Sequence, residues 1–284
     1  MGFCLAPGID TLPSLPSILN QLLQTLDDSH SSARDIESIV ERDPSTTSKL
    51  LAVANSSYYG LRHQVTTLQR AVVVLGFNEV RNICLGTVLT SMLNPKKFKD
   101  PQSAQDLWRH CLAVQETARI LADGTGLARP DVAMIAGLLH DLGWVVILGY
   151  RSEEWENIRK MVLGESLPLL EAEKRQGISH QEAGEALGKY WDLPPMIVEV
   201  MRNHHSPGPR LAYYNQTGLI YLANVLASEV GMGFCDLDCP LSLDPAVPES
   251  LGISDQRLTD FRDKLESQLP ELEALLQTLL QLDD

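Results

Sequence analysis

Five of the seven histidines fall between positions 110 and 205, each at the centre or end of a helical segment and beside apolar residues. His110 lies in LWRHCLAV, His140 with Asp141 in GLLHDLGW, His180 in GISHQEAG, and His204-His205 close the segment PPMIVEVMRNHH. Imidazole nitrogen and carboxylate oxygen together form a mixed donor set suited to borderline divalent metals such as Fe, Mn, Ni or Zn. A single histidine on an apolar segment is ordinarily a hydrogen-bonded or surface residue. For the whole set that reading weakens, because several independent placements must coincide. His140 and Asp141 are costly to bury without partners in so apolar a run. Adjacent helical residues point about 100° apart, so these two reach one ion only near a helix end, which Gly143 permits.

The elements that must position these groups read as helices almost throughout, with no convincing strand-type alternation. Asp43-Pro44 predicts a helix start, with proline at the first helical position, and Lys49 to Ala54 continue it. Leu68, Val72 and Leu75 share a helical face that Gly76 ends, and Asn78 is expected to cap the next segment, Glu79 to Leu93. Further helices are expected over 103–121, 132–148 (interrupted at Gly143), 153–163, 167–176, 180–191, 195–204 and 213–230. Ser179 with Glu182 forms a capping box at the start of the His180 helix. Met232 to Gly252 reads as loop. In the segment 254–282 an apolar seam through Leu258, Phe261, Leu265, Leu272, Leu275 and Leu279 is expected to break near Pro270. The fold class is therefore all-α.

Composition removes several classes of function. The chain has 284 residues and a formal charge of −14. A nucleic-acid partner is not expected, since binding phosphates needs a basic face; the densest cationic group, Lys96, Lys97 and Lys99, sits in a short connector. No apolar run reaches the roughly 18 residues that span a bilayer, and the N-terminus lacks a signal-peptide pattern. Five scattered cysteines, an odd number, fit a reducing cytoplasm. Residues 236–284 carry 12 acids and 3 bases, net −9. That tail reads as a solvated helix packing its leucines onto the body, with a partner or homodimer seam as the alternative. Cys235 and Cys239 have the wrong spacing for a zinc knuckle, Gly124 and Gly126 form a turn, Tyr58-Tyr59 is core, and Glu79 and Arg81 are taken as solvent-facing charges.

The order His110, His140-Asp141, then a later helix where an aspartate is expected resembles the HD superfamily of metal-dependent phosphohydrolases. His180 and His204-His205 resemble the wider ligand set of its HD-GYP branch. The segments LPSLPSILNQLLQTLDD, DIESIVERDPSTTSKLLAVANSSYYG, TTLQRAVVVLGFNEVRNICLG and SHQEAGEALGKYWDLPPMIVEVMRNHHSP more closely resemble the HDOD branch, over residues 10–230. The resemblance implies an N-terminal helical half (10–100) packed on an HD-type bundle (101–230), followed by an acidic, Leu-rich helical extension (231–284). It implies a bacterial signalling module, commonly attached to receiver or other signalling domains, that works through a protein partner without hydrolysis. Two positions depart from an active site. Asn224, in IYLANVLA, stands where the late aspartate is expected, and Trp144 stands where HD-GYP enzymes carry a lysine. SPGPR replaces their GYP segment. The competing reading is a metal-dependent phosphohydrolase acting on a nucleotide phosphoester. There His110, His140 and Asp141 would hold one ion, and His180, His204 and His205 a second.

Overall fold

A computed structural model describes residues 17–25, 33–40, 43–92, 94–234 and 241–281, and among them every regular element is helical. Cys4, Cys235 and Cys239 lie outside the described residues. The chain divides into two compact units, one built from residues of 13–94 and 268–281 and the other from 95–267.

The first unit contains α1 (Ser17–Gln24), α2 (Ala33–Val40), α3 (Pro44–Ala54), α4 (Leu68–Leu75) and α5 (Phe77–Met92). Asp43 caps α3 as the sequence predicts, its carboxylate accepting from the Ser45 amide at 3.0 Å, with Pro44 at the first position. Gly76 stops α4 at φ +90°, a conformation glycine tolerates best. Its carbonyl then accepts from the Val80 amide at 3.2 Å, so α5 begins at Phe77 and Asn78 lies inside that helix rather than capping it.

Helix α5 packs against all four of its predecessors, so it has no broad solvent face. This overturns the expectation that Glu79 and Arg81 face water. Arg81 is buried, donates to the Thr25 carbonyl just past α1 at 3.2 Å, and lies over the Phe77 ring. Glu79 is half-buried and accepts from the Tyr59 hydroxyl at 2.6 Å. A guanidinium buried this way satisfies a helix end that would otherwise be orphaned.

The second unit opens with a 3₁₀ turn at Pro95–Lys97 and continues through α6 (Pro101–Thr125), α7 (Pro130–Leu139), α8 (Gly143–Tyr150), α9 (Ser152–Glu165) and α10 (Leu169–Gln176). After these come α11 (His180–Tyr190), α12 (Pro195–Asn203), α13 (Tyr214–Glu229), α14 (Ala246–Ser250) and α15 (Asp255–Gln281). The short α14 falls inside the stretch read as loop. α6 pairs with α7 and α13, α8 packs on α11, and α11 packs on α12.

Among the described residues, Pro130–Tyr150 is the one stretch apolar and long enough to cross a membrane, contrary to the expectation that no such run exists. Its most apolar window is 89% buried inside the fold, because α6, α11, α12 and α13 surround α7 and α8. The chain turns at 140–142 between the two helices, and Gly143 starts the second helix rather than only ending the first.

Helix α15 belongs to the second unit up to Ser267 and to the first unit beyond it. It runs unbroken through Pro270, which sits on its exposed side. Leu258, Phe261, Leu265, Leu272, Leu275, Leu276 and Leu279 are buried within the chain itself, as the packed-tail reading expects. Arg257 also donates to the Gly124 carbonyl at 2.6 Å.

Candidate metal centre

The turn between α7 and α8 carries the centre of the site. His140 and Asp141 follow the last residue of α7 in a tight turn, where the Leu142 amide donates to the Leu139 carbonyl at 3.2 Å and the Trp144 amide to the Asp141 carbonyl at 3.0 Å, and there the two side chains approach to 3.4 Å. His110 comes from the middle of α6, His180 is the first residue of α11, and His204-His205 follow α12. Each of these helices packs on a neighbour that carries another member of the cluster, so helix packing brings the six sequence-predicted donors together.

All of them aim at Asp141. Its Oδ2 stands 3.5 Å from His110 Nε2 and 3.4 Å from His140 Nε2, and its Oδ1 stands 3.4 Å from His180 Nε2 and 3.2 Å from His204 Nε2. His180 Nε2 is 3.3 Å from His204 Nε2 and 3.1 Å from His205 Nε2. Two donor sets share the carboxylate: Asp141 with His180, His204 and His205, and Asp141 with His110 and His140.

Three of the opposite ring nitrogens are tied to backbone carbonyls. His110 Nδ1 lies 2.8 Å from the Met232 carbonyl, His140 Nδ1 2.7 Å from the Gly137 carbonyl, and His204 Nδ1 3.1 Å from those of Val200 and Met201. A carbonyl can only accept, so Nδ1 carries the proton, and in a neutral ring Nε2 then presents a bare lone pair. Burial, aided by the neighbouring His140, pushes His110 down to about 4; burial likewise brings His204 to about 4 and His205 well below the usual histidine range. Burial opposes charge on Asp141 too, but the surrounding imidazoles, His140 first, hold its carboxyl well below the usual carboxylate range. Among the described residues, His140 Nε2 and Asp141 Oδ1 are buried without a hydrogen-bond partner.

Lone pairs facing one another around a carboxylate repel unless a cation lies between them. Ligands held about 2.1 Å from one ion, at octahedral to tetrahedral angles, stand roughly 3.0–3.4 Å apart. The donor separations of 3.1–3.5 Å match that spacing, so the residues fit a divalent cation. Cysteine is not part of the set: Cys84 and Cys111 are buried and desolvation pushes both thiols up.

Sequence reasoning missed Glu173 on α10. It is buried, and its Oε1 lies 2.6 Å from His180 Nδ1 while also accepting the His180 backbone N–H at 3.2 Å. Burial alone would depress His180, but the charges of Glu173 and Asp141 overcome it and raise its pKa. Nothing local marked it: α10 also carries Glu171, Lys174 and Arg175, and Glu173 differs from them only in being buried. A carboxylate behind a ligand histidine fixes the ring and strengthens its donor nitrogen. Glu173→Gln should therefore weaken metal binding by roughly 10–100-fold, read by competition against a chelator; unchanged affinity would reduce Glu173 to a packing residue.

Trp144 stacks on the His180 ring at 4.9 Å and 14° and also touches Trp155 and Phe234. Asn224, on α13, is buried and borders a cavity of about 280 Å³ that opens onto His110, Asp141 and His205. Among the residues lining that cavity there is no lysine or arginine.

The same architecture recurs in solved structures. An HDOD domain protein with unknown function from Geobacter sulfurreducens superposes with a TM-score of 0.81 at 28% identity, covering 94% of this chain and 93% of its own. A candidate signal transduction protein from Marinobacter aquaeolei VT8 gives 0.81 at 23%, covering 95% of this chain and 60% of its own. A candidate phosphohydrolase from Shewanella amazonensis SB2B gives 0.75 at 22%, covering 95% and 96%. An uncharacterized protein of Treponema pallidum is 26% identical over 96% of this chain, which spans 50% of that relative's length. Residues 12–207 match the HDOD domain family, which is more than half of the chain, and with the helical bundle and the histidine–aspartate cluster in place the chain belongs to that family.

Proposed function

We propose that this chain is a signalling module whose cluster holds a divalent cation, one of Fe, Mn, Ni or Zn, and which acts on a protein partner without turning over a phosphoester. His110, His140, Asp141, His180, His204 and His205 would hold the cation, with Glu173 and the backbone carbonyls orienting the rings. A bound cation supplies positive charge and Lewis acidity at this point. The chain's own residues do the rest: backbone carbonyls fix Nδ1 of His110, His140 and His204 as the donor so that each Nε2 faces the cluster, Trp144 and Phe234 wall one side with aromatic surface, and Asn224 offers an uncharged amide. The observation that carries the reading is the mismatch between a full donor set and its surroundings. The cavity beside it presents Asn224 and Trp144, with no cation to receive a phosphate.

The second reading, a phosphohydrolase acting on a nucleotide phosphoester, is favoured by that same donor set. Elemental analysis of the purified full chain, paired with hydrolysis of p-nitrophenyl phosphate and of cyclic nucleotides, separates the two. Near-stoichiometric metal with no turnover above blank is expected. Turnover that His140→Ala abolishes would establish the enzyme instead.

A further inference from the structure

The cavity beside the cluster has a chemistry of its own. Its wall is apolar, formed chiefly by Trp144, Val162, Pro168, Leu169, Phe234 and Leu241, and one end is closed by His110, Asp141 and His205. Asn224 is the buried polar group on that wall, and its amide can donate one hydrogen bond and accept another. Pro168 and Leu170 are exposed, so the mouth lies at the start of α10, and the cavity's volume of about 280 Å³ admits a small organic molecule.

We propose that this cavity binds a small monocarboxylate with an aliphatic tail, its carboxylate directed to the metal cluster and Asn224 and its tail laid along the apolar wall. The inference rests on the cluster holding a cation. Charge selects the head group. One divalent cation would be offset by the Asp141 carboxylate facing it and by the Glu173 carboxylate behind His180, so the site favours the anionic head group that adds the least negative charge, a single carboxylate. A phosphomonoester dianion would bring a second negative charge into a wall that has no lysine or arginine, where an uncompensated charge is costly. The wall selects the tail: each methylene moved from water onto apolar surface tightens binding by a factor of about 4.

The test uses the full-length chain loaded with cobalt(II), whose visible bands report a ligand arriving at the ion, titrated with acetate, hexanoate and inorganic phosphate. Hexanoate is expected to shift the bands saturably and to bind on the order of 100-fold more tightly than acetate, with phosphate no tighter than acetate. Leu169→Gln, at the mouth and away from the donors, should weaken hexanoate by about tenfold while leaving acetate binding and cobalt content as in the parent. Equal affinity for acetate and hexanoate, or a preference for phosphate, would overturn the proposal while leaving the metal assignment intact. A chain that takes up no cobalt would overturn both.

Discussion

Asp141→Asn should strip the cluster of its metal, lowering affinity by 100-fold or more, beyond the roughly 10–100-fold that attends loss of an outer-shell partner. The substitution keeps the size and planarity of the side chain and removes only its charge and one acceptor. That charge is central: the two Asp141 oxygens stand within 3.5 Å of four imidazole nitrogens. An amide in its place would turn an NH₂ group toward one of those oxygen positions, where a cation is attracted least. Metal content of the purified variant should fall from near-stoichiometric to a small fraction. The melting temperature should also lose its dependence on chelator, because a ligand present at 100 times its Kd contributes about 2.7 kcal/mol to the native state. Full metal content in the Asp141→Asn variant would place the ion away from this carboxylate.

Gly143→Ala should unfold or severely loosen the site-bearing unit. A Cβ at Gly143 would stand 1.8 Å from the His180 carbonyl oxygen and 2.7 Å from the Gly184 amide nitrogen. Both are backbone atoms of α11, so no side-chain rotation relieves the clash, and α8 and α11 must separate. α8 carries Trp144 and α11 carries His180, whose rings stack at 4.9 Å, so metal binding should fail along with stability. Overpacking ordinarily costs about 1–3 kcal/mol, and a backbone overlap of this depth belongs at or above the upper end. With about 2–4 °C of melting temperature lost per kcal/mol in a chain of this size, a drop on the order of 10 °C is expected in a thermal scan. Gly164→Ala is the contrasting control. That glycine lies in α9, where an added methyl would meet nothing within 4 Å, and alanine should stabilise the helix by roughly 0.5–1 kcal/mol. Equal melting of the Gly143 and Gly164 variants would show that the two helices have slack between them.

How much was legible in the sequence differs by residue. The entry signals Asp43-Pro44 and Ser179 with Glu182 act on the adjacent backbone, and both occur as caps, the Glu182 amide donating to Ser179 Oγ at 3.3 Å. The all-helical class followed from periodicity over many residues. The six donors were visible because polar groups in apolar helical segments stand out against their surroundings. Glu173 was not visible in that way: it sits in a charged helix, and only its burial against His180 separates it from the other charged residues of α10. Arg81 failed for the same reason in reverse, since a local pattern cannot report that four other helices pack on α5.

The sequence by itself determined the helical class, most of the helices, the caps at Asp43 and Ser179, the donor chemistry of the cluster and the two departures at Asn224 and Trp144. These properties live in single residues or in their near neighbours along the chain. Tertiary structure decided the rest: that five rings converge on one carboxylate, that the Nδ1 atoms of His110, His140 and His204 are tied to carbonyls and that of His180 to Glu173 so that their Nε2 atoms face the cluster, and that Gly143 lets two backbones touch. It also turned Trp144 from a missing lysine into a ring stacked on His180, and Asn224 into one wall of an apolar cavity. Such contacts join residues tens of positions apart, and their geometry is set by helix packing at the scale of an ångström, which no periodicity along the chain encodes.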